Sequence, residues 1–518
     1  MPNTVDFSGK PFHFIGIGGI GMSALAYVLA KRQLPVSGSD VRSTHITQRL
    51  QAVGAHFFGS QEATNLEFFQ TQTEPVCQGL QTAALIASPS WGASGEPLLS
   101  KPNQTKPSSG LPQIVCSTAI NSFNSEYQAA LEQGFPIFHR SDLLAALIQD
   151  YQSIAVAGTH GKTTTSSLIG YLLLKAGLDP TVVVGGEVDA WEGNARVGEG
   201  PYLVAEADES DGSLAKLAPW IGVVTNIELD HPDHYKSLEE VIEIFQIFAQ
   251  HCQILVGCID CETVRSQLKP TIGYSLHRDR GADYSVDRVI YHANGTIARV
   301  WEGNEVLGEL HLKLLGKHNL SNALAAVAVG RSLGLAFDVI AEAVATFEGA
   351  KRRFELRGKC NNISFVDDYA HHPSEIQATL SAARLRKDES LGSASEIGRV
   401  VAIFQPHRYS RTSTFLQEFG QSFSNADIVV VTDIYSAGEP NLEQITGEQV
   451  RDAIAAHHKQ VYYQPTLESV SECLTQILQP GDLALFLGAG NLNQIIPQLV
   501  DLYQQADKDW VKELSQTA

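Results

Sequence analysis

Lys162 stands between Gly161 and a run of three threonines, at the end of the stretch Ile154-Ala155-Val156-Ala157-Gly158-Thr159-His160-Gly161-Lys162-Thr163-Thr164-Thr165. An apolar, strand-type run stops at Gly158, and Leu168, Ile169, Leu172 and Leu173 then recur at helical spacing. This order of strand, phosphate loop and helix binds nucleoside triphosphates. Glycines let backbone N–H groups turn in on phosphate oxygens, and the helix N-terminus adds partial positive charge. Lys162 supplies a mobile point charge and Thr163 offers a hydroxyl to Mg²⁺. The strict motif has glycine where this chain has Val156, so the loop is a shorter variant.

A second glycine cluster opens the chain. Phe12 to Ile15 reads as a short strand, and Gly16, Gly18, Gly19 and Gly21 follow before a small-residue helix, as in turns that approach a diphosphate closely. Val36 to Ser39 reads as the next strand, ending at Asp40, whose carboxylate suits a ribose hydroxyl.

Two later strands end in acidic clusters, Glu206-Ala207-Asp208-Glu209-Ser210-Asp211 and Glu228-Leu229-Asp230-His231. Such clusters at the carboxyl edge of a parallel sheet are where a Mg²⁺ ion would be held. Toward the C-terminus, strands run into Asp367-Asp368-Tyr369-Ala370-His371-His372, His407-Arg408-Tyr409-Ser410-Arg411 and Gly488-Ala489-Gly490.

The elements that must position these groups alternate strand and helix, which predicts an α/β fold of open sheets with their loops on one edge. We expect three domains: a Rossmann-like N-terminal domain over 1–150, a central phosphate-loop α/β domain over 151–348, and a second Rossmann-like domain over 349–518. Residues at about 88–112 are rich in Ser, Pro, Gly and Thr and read as a loop insertion. A length of 518 residues with 43% hydrophobic content suffices for several cores. Lys plus Arg number 37 against 57 Asp plus Glu, a net charge of −20, which argues against nucleic-acid or anionic-membrane partners. The start shows no apolar export segment and no run of about 18 apolar residues occurs, so the expected location is the cytoplasm. Seven scattered cysteines fit reduced thiols, and Cys258-x-x-Cys261 lacks the second pair a zinc site needs.

The ordered motifs G-I-G-G-I-G-M-S-A-L-A from Gly16, G-T-H-G-K-T-T-T from Gly158, A-E-A-D-E-S-D from Ala205 and T-N-I-E-x-D-H from Thr225 span the first half. G-x-H-N-x-x-N-A-L-A-A from Gly316, D-D-Y-A-H-H-P from Asp367 and P-H-R-Y-S-R-T from Pro406 complete the set. Together they resemble the Mur ligases, over nearly the whole chain. The resemblance implies an ATP-dependent, Mg²⁺-using ligase that joins L-alanine to the lactyl carboxylate of UDP-N-acetylmuramate in peptidoglycan synthesis. It implies that Gly16, Gly18, Gly19, Gly21, Asp40, Ser117 and Thr118 face the UDP part. Gly158, Thr159, His160, Gly161, Lys162, Thr163 and Thr164 would hold ATP, with Thr163, Glu206 and His231 at the metal. Asn319 and Asn322 would lie near adenine, and Arg352 and Asp368 would close over the nucleotide. His371, Arg408 and Arg411 would line the amino-acid and carboxylate end. Some Mur ligases carry a carbamylated lysine, but Gln246 stands nearer the expected spacing here than Lys236, so no modified lysine is expected. The amine base stays open among His231, His371 and a carboxylate, and the oligomeric state stays open too. Rival readings are a ligase recycling an intact tripeptide onto the same nucleotide sugar, a nicotinamide-dependent dehydrogenase, which leaves Lys162 unexplained, and a non-enzymatic nucleotide sensor.

Overall fold

The computed structural model describes residues 4–70, 111–390 and 398–505, so most of the insertion read at 88–112 lies outside the described residues. The chain forms three sheets in two compact units, Met1–Ala146 and Leu147–Ala518. Among the described residues no helix is long and apolar enough to cross a membrane.

The first unit holds one sheet, made of β1 (Phe12–Ile15), β2 (Val36–Ser39), β3 (His56–Phe58), β4 (Gln113–Cys116) and β5 (Ile137–His139). All pairings are parallel, in the order β3-β2-β1-β4-β5. The order reverses between β1 and β4, and the crevice outside the carboxyl ends at such a switch point is where open α/β sheets take ligands. The glycine turn sits there. Gly16 has φ +82, a left-handed conformation that a side chain resists, and the Gly18 N–H donates to Asp40 Oδ2 at 2.9 Å. A Cβ on Gly18 would stand 2.8 Å from that same oxygen. Ser117 and Thr118 follow β4, and Ile120 in the same turn packs 3.2 Å from where a Gly16 Cβ would lie. The Arg140 guanidinium comes 3.5 Å from the corresponding point on Gly21. Asp40 is thus a brace of the turn as well as a candidate ribose acceptor.

Behind this edge lies a buried polar network. His13 and Glu126 are both 0% exposed, and His13 Nε2 lies 2.8 Å from Glu126 Oε1, with its Nδ1 2.9 Å from Ser37 Oγ. Asn65 Nδ2 donates to Glu126 Oε1 at 2.9 Å, and Ser39 Oγ donates to Oε2. One carboxylate therefore ties β1 and β2 to the helix Ser125–Glu132.

The second unit begins with ten strands: β6 (Gln152–Ala157), β7 (Thr181–Val188), β8 (Gly193–Arg196), β9 (Tyr202–Glu206), β10 (Ile221–Val224), β11 (Ile254–Cys258), β12 (Ile272–Ser275), β13 (Tyr284–His292), β14 (Gly295–Glu302) and β15 (Glu305–Leu312). Their order is β15-β14-β13-β12-β11-β10-β6-β9-β7-β8, with β6 through β13 parallel apart from the β7/β8 pair, and β14 and β15 added antiparallel. β6 is flanked by β9 and β10, so both acidic clusters emerge beside the phosphate loop. The helices Lys162–Lys175 and Lys317–Ser332 pack on this sheet through Leu168, Leu172, Ala325 and Val329, all fully buried.

The third sheet is β16 (Glu355–Cys360), β17 (Ile363–Asp368), β18 (Val400–Phe404), β19 (Ile428–Val431), β20 (Val461–Tyr463) and β21 (Leu483–Leu487), ordered β16-β17-β21-β18-β19-β20. All pairs but β16/β17 are parallel. Both faces are covered, as the strand pattern demands: Val400, Ala402 and Phe404 enter one core, Val401 and Ile403 the other.

Replacing Glu126 by Ala would strand the buried donors of Asn65, Ser39 and His13, a loss of about 3 kcal/mol. Amide exchange in β1 and β2 of the full-length protein is expected to quicken about a hundredfold; unchanged protection would show that the network carries no stability.

Candidate active site

The phosphate loop is built on two left-handed glycines. Gly158 has φ +134, and a Cβ there would fall 2.0 Å from Thr225 Oγ1; Gly161 has φ +83, and a Cβ would fall 2.6 Å from Asn322 Oδ1. Gly161 also caps the helix that starts at Lys162. Lys162 Nζ donates to the carbonyls of Gly158 (2.7 Å) and Thr159 (3.1 Å) and to both oxygens of Glu209, at 2.9 and 2.8 Å. Burial works against its charge, yet Glu209, Asp208 and Glu206 hold the ammonium above its ordinary range.

At the next residue, Thr163 Oγ1 donates to Glu206 Oε1 at 3.1 Å, and Glu206 Oε2 accepts the Gly185 N–H at 2.8 Å. Hydroxyl and carboxylate beside a lysine are hard oxygen donors, which fits Mg²⁺. The His231 imidazole sets Nε2 3.8 Å from Glu209 and 3.7 Å from Asp230, from a backbone at φ +55. Burial holds the imidazole below its usual range, leaving it neutral and able to give a lone pair.

A cavity of about 300 Å³ opens beside the loop, lined by His160, Gly161, Thr164, Asn319, Asn322, Arg353 and Asp368 among others. Asn319 is fixed by donating to the Leu315 carbonyl at 2.8 Å, and Asn322 donates to Asn319 Oδ1 at 3.3 Å. Asp368 accepts from the N–H groups of Phe354 (2.7 Å) and Ala370 (2.8 Å), and burial pushes its carboxyl up to about 6.

The two neighbouring arginines divide differently from expectation. Arg352 does not line the cavity: its Nε donates to Asp367 at 3.1 Å, its Nη2 to the Gly488 carbonyl at 2.8 Å, and it stacks over Tyr369. Arg353 is the one that lines it and reaches Thr163 Oγ1 at 3.3 Å.

The remaining candidates gather at the loop after β10. Arg411 and Asp230 form a buried ion pair at 2.9 Å, side chains 3% and 5% exposed. Against the pull of burial, Arg411 holds Asp230 well below the usual carboxylate range. Arg408 bonds Asp233 at 2.5 Å and lies 3.4 Å from Glu439. His371 sets Nδ1 2.8 Å from the Tyr369 carbonyl, and burial pulls it down to about 4.

His160 behaves in the opposite way. Its Nδ1 lies 3.2 Å from Glu375 and its Nε2 3.3 Å from Glu228; burial opposes the charge, but the two carboxylates raise the imidazole to about 10. Sequence reading did not single out Glu209, Glu228, Glu375, Arg353 or Arg140. The first two stand inside motifs already quoted, and Glu375 lies two residues past one of them.

Residues 11–152 match the family profile "Mur ligase family, catalytic domain", 156–330 "Mur ligase middle domain", and 352–490 "Mur ligase, glutamate ligase domain". The chain is 65% identical over 508 residues to the UDP-N-acetylmuramate–L-alanine ligase of Nostoc punctiforme, covering 98% of this chain and 99% of that protein. The enzyme of that name from Gloeothece citriformis is 64% identical, covering 96% and 99%. Among solved structures, the UDP-N-acetylmuramate-alanine ligase of Thermotoga maritima aligns with TM-score 0.75 and 26% identity over 96% of this chain and 99% of its own. The murein peptide ligase of Psychrobacter arcticus shares the fold at TM-score 0.67 and 20% identity, covering 96% and 99%.

The raised basicity of His160 has a consequence for titration. Its contribution to stability is complete below the ordinary value of 6.5 and is lost as pH rises through about 10. In imidazole-labelled protein, assigned against His160→Asn, the His160 resonance is expected to hold still between pH 6 and pH 9; a midpoint near 6.5 would contradict the bridging geometry.

Proposed function

The chain belongs to the Mur ligase family, and from that premise we propose that it joins L-alanine to the lactyl carboxylate of UDP-N-acetylmuramate at the expense of ATP, in peptidoglycan synthesis. The observation that carries the reading is the phosphate loop itself: Lys162 and the Thr163–Glu206 pair stand next to a cavity of about 300 Å³ lined by two buried asparagines, in a chain 65% identical to an alanine ligase along nearly its whole length.

A carboxylate is a poor electrophile. Transfer of the γ-phosphoryl group makes a new O–P bond on the lactyl carboxylate and breaks the bond to ADP. The amine of L-alanine then forms the C–N bond, phosphate leaves with the C–O electrons, and the amine gives up a proton. Thr163 and Glu206 would hold Mg²⁺, which when bound would supply charge neutralisation across the phosphates. This chain's own contribution is positioning and a fixed positive field. Lys162 is kept charged by Glu209; Arg353 reaches in from the third sheet; Asn319 and Asn322 shape the pocket for the base. In the first unit, the Gly16–Gly21 turn, Asp40, Ser117 and Thr118 would take the UDP part. His371, Arg408 and Arg411 would serve the amino-acid and carboxylate end, and His231 would stand at the metal. We place the reaction in the cytoplasm, where ATP and the nucleotide sugar meet. The recycling reading finds less support, because the relatives at 64–65% identity carry the alanine ligase name.

Phosphate release from ATP is expected to require both UDP-N-acetylmuramate and L-alanine, and to vanish in Lys162→Ala; release with the tripeptide alone would transfer the chain to the recycling reaction. Arg353→Ala is expected to lower kcat about a hundredfold, since it removes one preorganised cation. Arg352→Ala, tied to Asp367 and Gly488, should act mainly through stability; equal losses of kcat from the two would refute the division between them.

A further inference from the structure

His160 joins two sheets of the second unit in a way that phosphate binding does not require. Its backbone is fixed from the second sheet, the N–H donating to Asn226 Oδ1 at 2.9 Å and the carbonyl accepting from Thr225 Oγ1 at 2.6 Å. Its ring keeps Nε2 at Glu228, in the loop after β10, and spans to the third-sheet side through Nδ1 at Glu375 in the first turn of the helix Pro373–Ser390. Two further contacts cross at the same place: Ser374 Oγ donates to Glu228 Oε2 at 2.7 Å, and the His372 ring lies 4.7 Å from that of His160. Glu375 also accepts the N–H groups of His371 (3.0 Å) and His372 (3.2 Å), so the carboxylate gripping His160 is the one that organises the start of its own helix.

His160, Glu228 and His372 have the spacing of a metal-ligand set. Both nitrogens of His160 already face carboxylates, however, and a protonated imidazole has no lone pair to offer. The ring itself is the cation of the cluster.

The helix so held leads directly to the cavity. Thr379, less than two turns after Glu375, donates to Asp368 Oδ1 at 3.3 Å, and Asp368 accepts the N–H of Phe354, next to Arg353. We propose that His160 is a positioning residue: a clasp that fixes the first turn of Pro373–Ser390 against the phosphate loop, so that Asp368 and Arg353 stand in register over the nucleotide cavity. The inference rests on the ligase reading above and deepens it. It separates the His160 ring from the loop's backbone cradle. Removing the ring should leave nucleotide affinity in place and spoil the closed arrangement in which transfer occurs, where a misplacement of about 1 Å costs about a hundredfold.

The test is a cycle of H160N, E375Q and the double variant in full-length protein, reading kcat for phosphate release, ADP affinity by calorimetry, and amide exchange over residues 371–378. Each single variant is expected to lower kcat about tenfold to a hundredfold, with ADP affinity within about threefold of the parent. The double variant should be no slower than the slower single, because both remove one interaction. Exchange over 371–378 should quicken in all three. Unchanged kcat, losses that multiply in the double variant, or ADP affinity falling in step with kcat would overturn the clasp. A parent protein that turns nothing over would instead refute the ligase reading, and the exchange measurement would still decide the clasp: quickened supports it, unchanged ends it.

Discussion

Taking an ammonium group out of water costs several kcal/mol unless anions stand in contact with it, and the Lys162 side chain is only 13% exposed. Glu209 meets that cost with both oxygens, and its own side chain is 2% exposed, so neither partner can be removed without stranding the other. Around this pair the elements fall into place. β6 and β9 must be adjacent so that the loop and the acidic turn share one edge. Gly158 and Gly161 must be left-handed so that the lysine folds back over the carbonyls of Gly158 and Thr159. Thr163 is then carried, one residue into the helix, to Glu206.

The charge of the site is partitioned between sheets. The second sheet supplies acids at its carboxyl edge: Glu206, Glu209, Glu228, Asp230 and Asp233. The third supplies the cations that answer them, Arg353, Arg408 and Arg411, through contacts at Thr163, Asp233 and Asp230. In a chain with net charge −20 these cations are thus each held locally against an acid or a hydroxyl rather than spread over the surface. The Asp230–Arg411 pair is almost fully buried, so either residue alone would be an uncompensated charge.

What the sequence disclosed follows the same geometry. The phosphate loop, the two acidic clusters and the glycine turn were legible because each is continuous in the chain and ends a strand of the expected kind. The choice between Arg352 and Arg353 was not. Arg352 and Phe354 both have positive φ, +59 and +52, so the backbone turns sharply there and strand or helix spacing says nothing about which guanidinium faces the cavity. Glu209 was hidden for a related reason: β9 ends at Glu206, and the three residues beyond it lie in a turn whose direction only the tertiary structure sets. His231, at φ +55, points at Glu209 and Asp230 for the same cause. Glu375 had no local signal at all, since its partner is 215 residues away.

The histidines of the site are sorted by their surroundings into two charge states, and this bears on the proton that the amine must lose in the proposed reaction. His160 lies between two carboxylates and is charged, so it has nothing with which to accept. His231 and His371 are kept neutral by burial. In His371 the Nδ1 faces the Tyr369 carbonyl and so carries the hydrogen, which leaves the lone pair on Nε2. An imidazole pulled down to about 4 is a weak base, effective only for an amine made acidic by attack on a carbonyl. Neutrality at both positions depends on desolvation, so the water-excluding contact of the second and third sheets, carried by Asp230 and Arg411, sets the proton chemistry as well as the shape of the site.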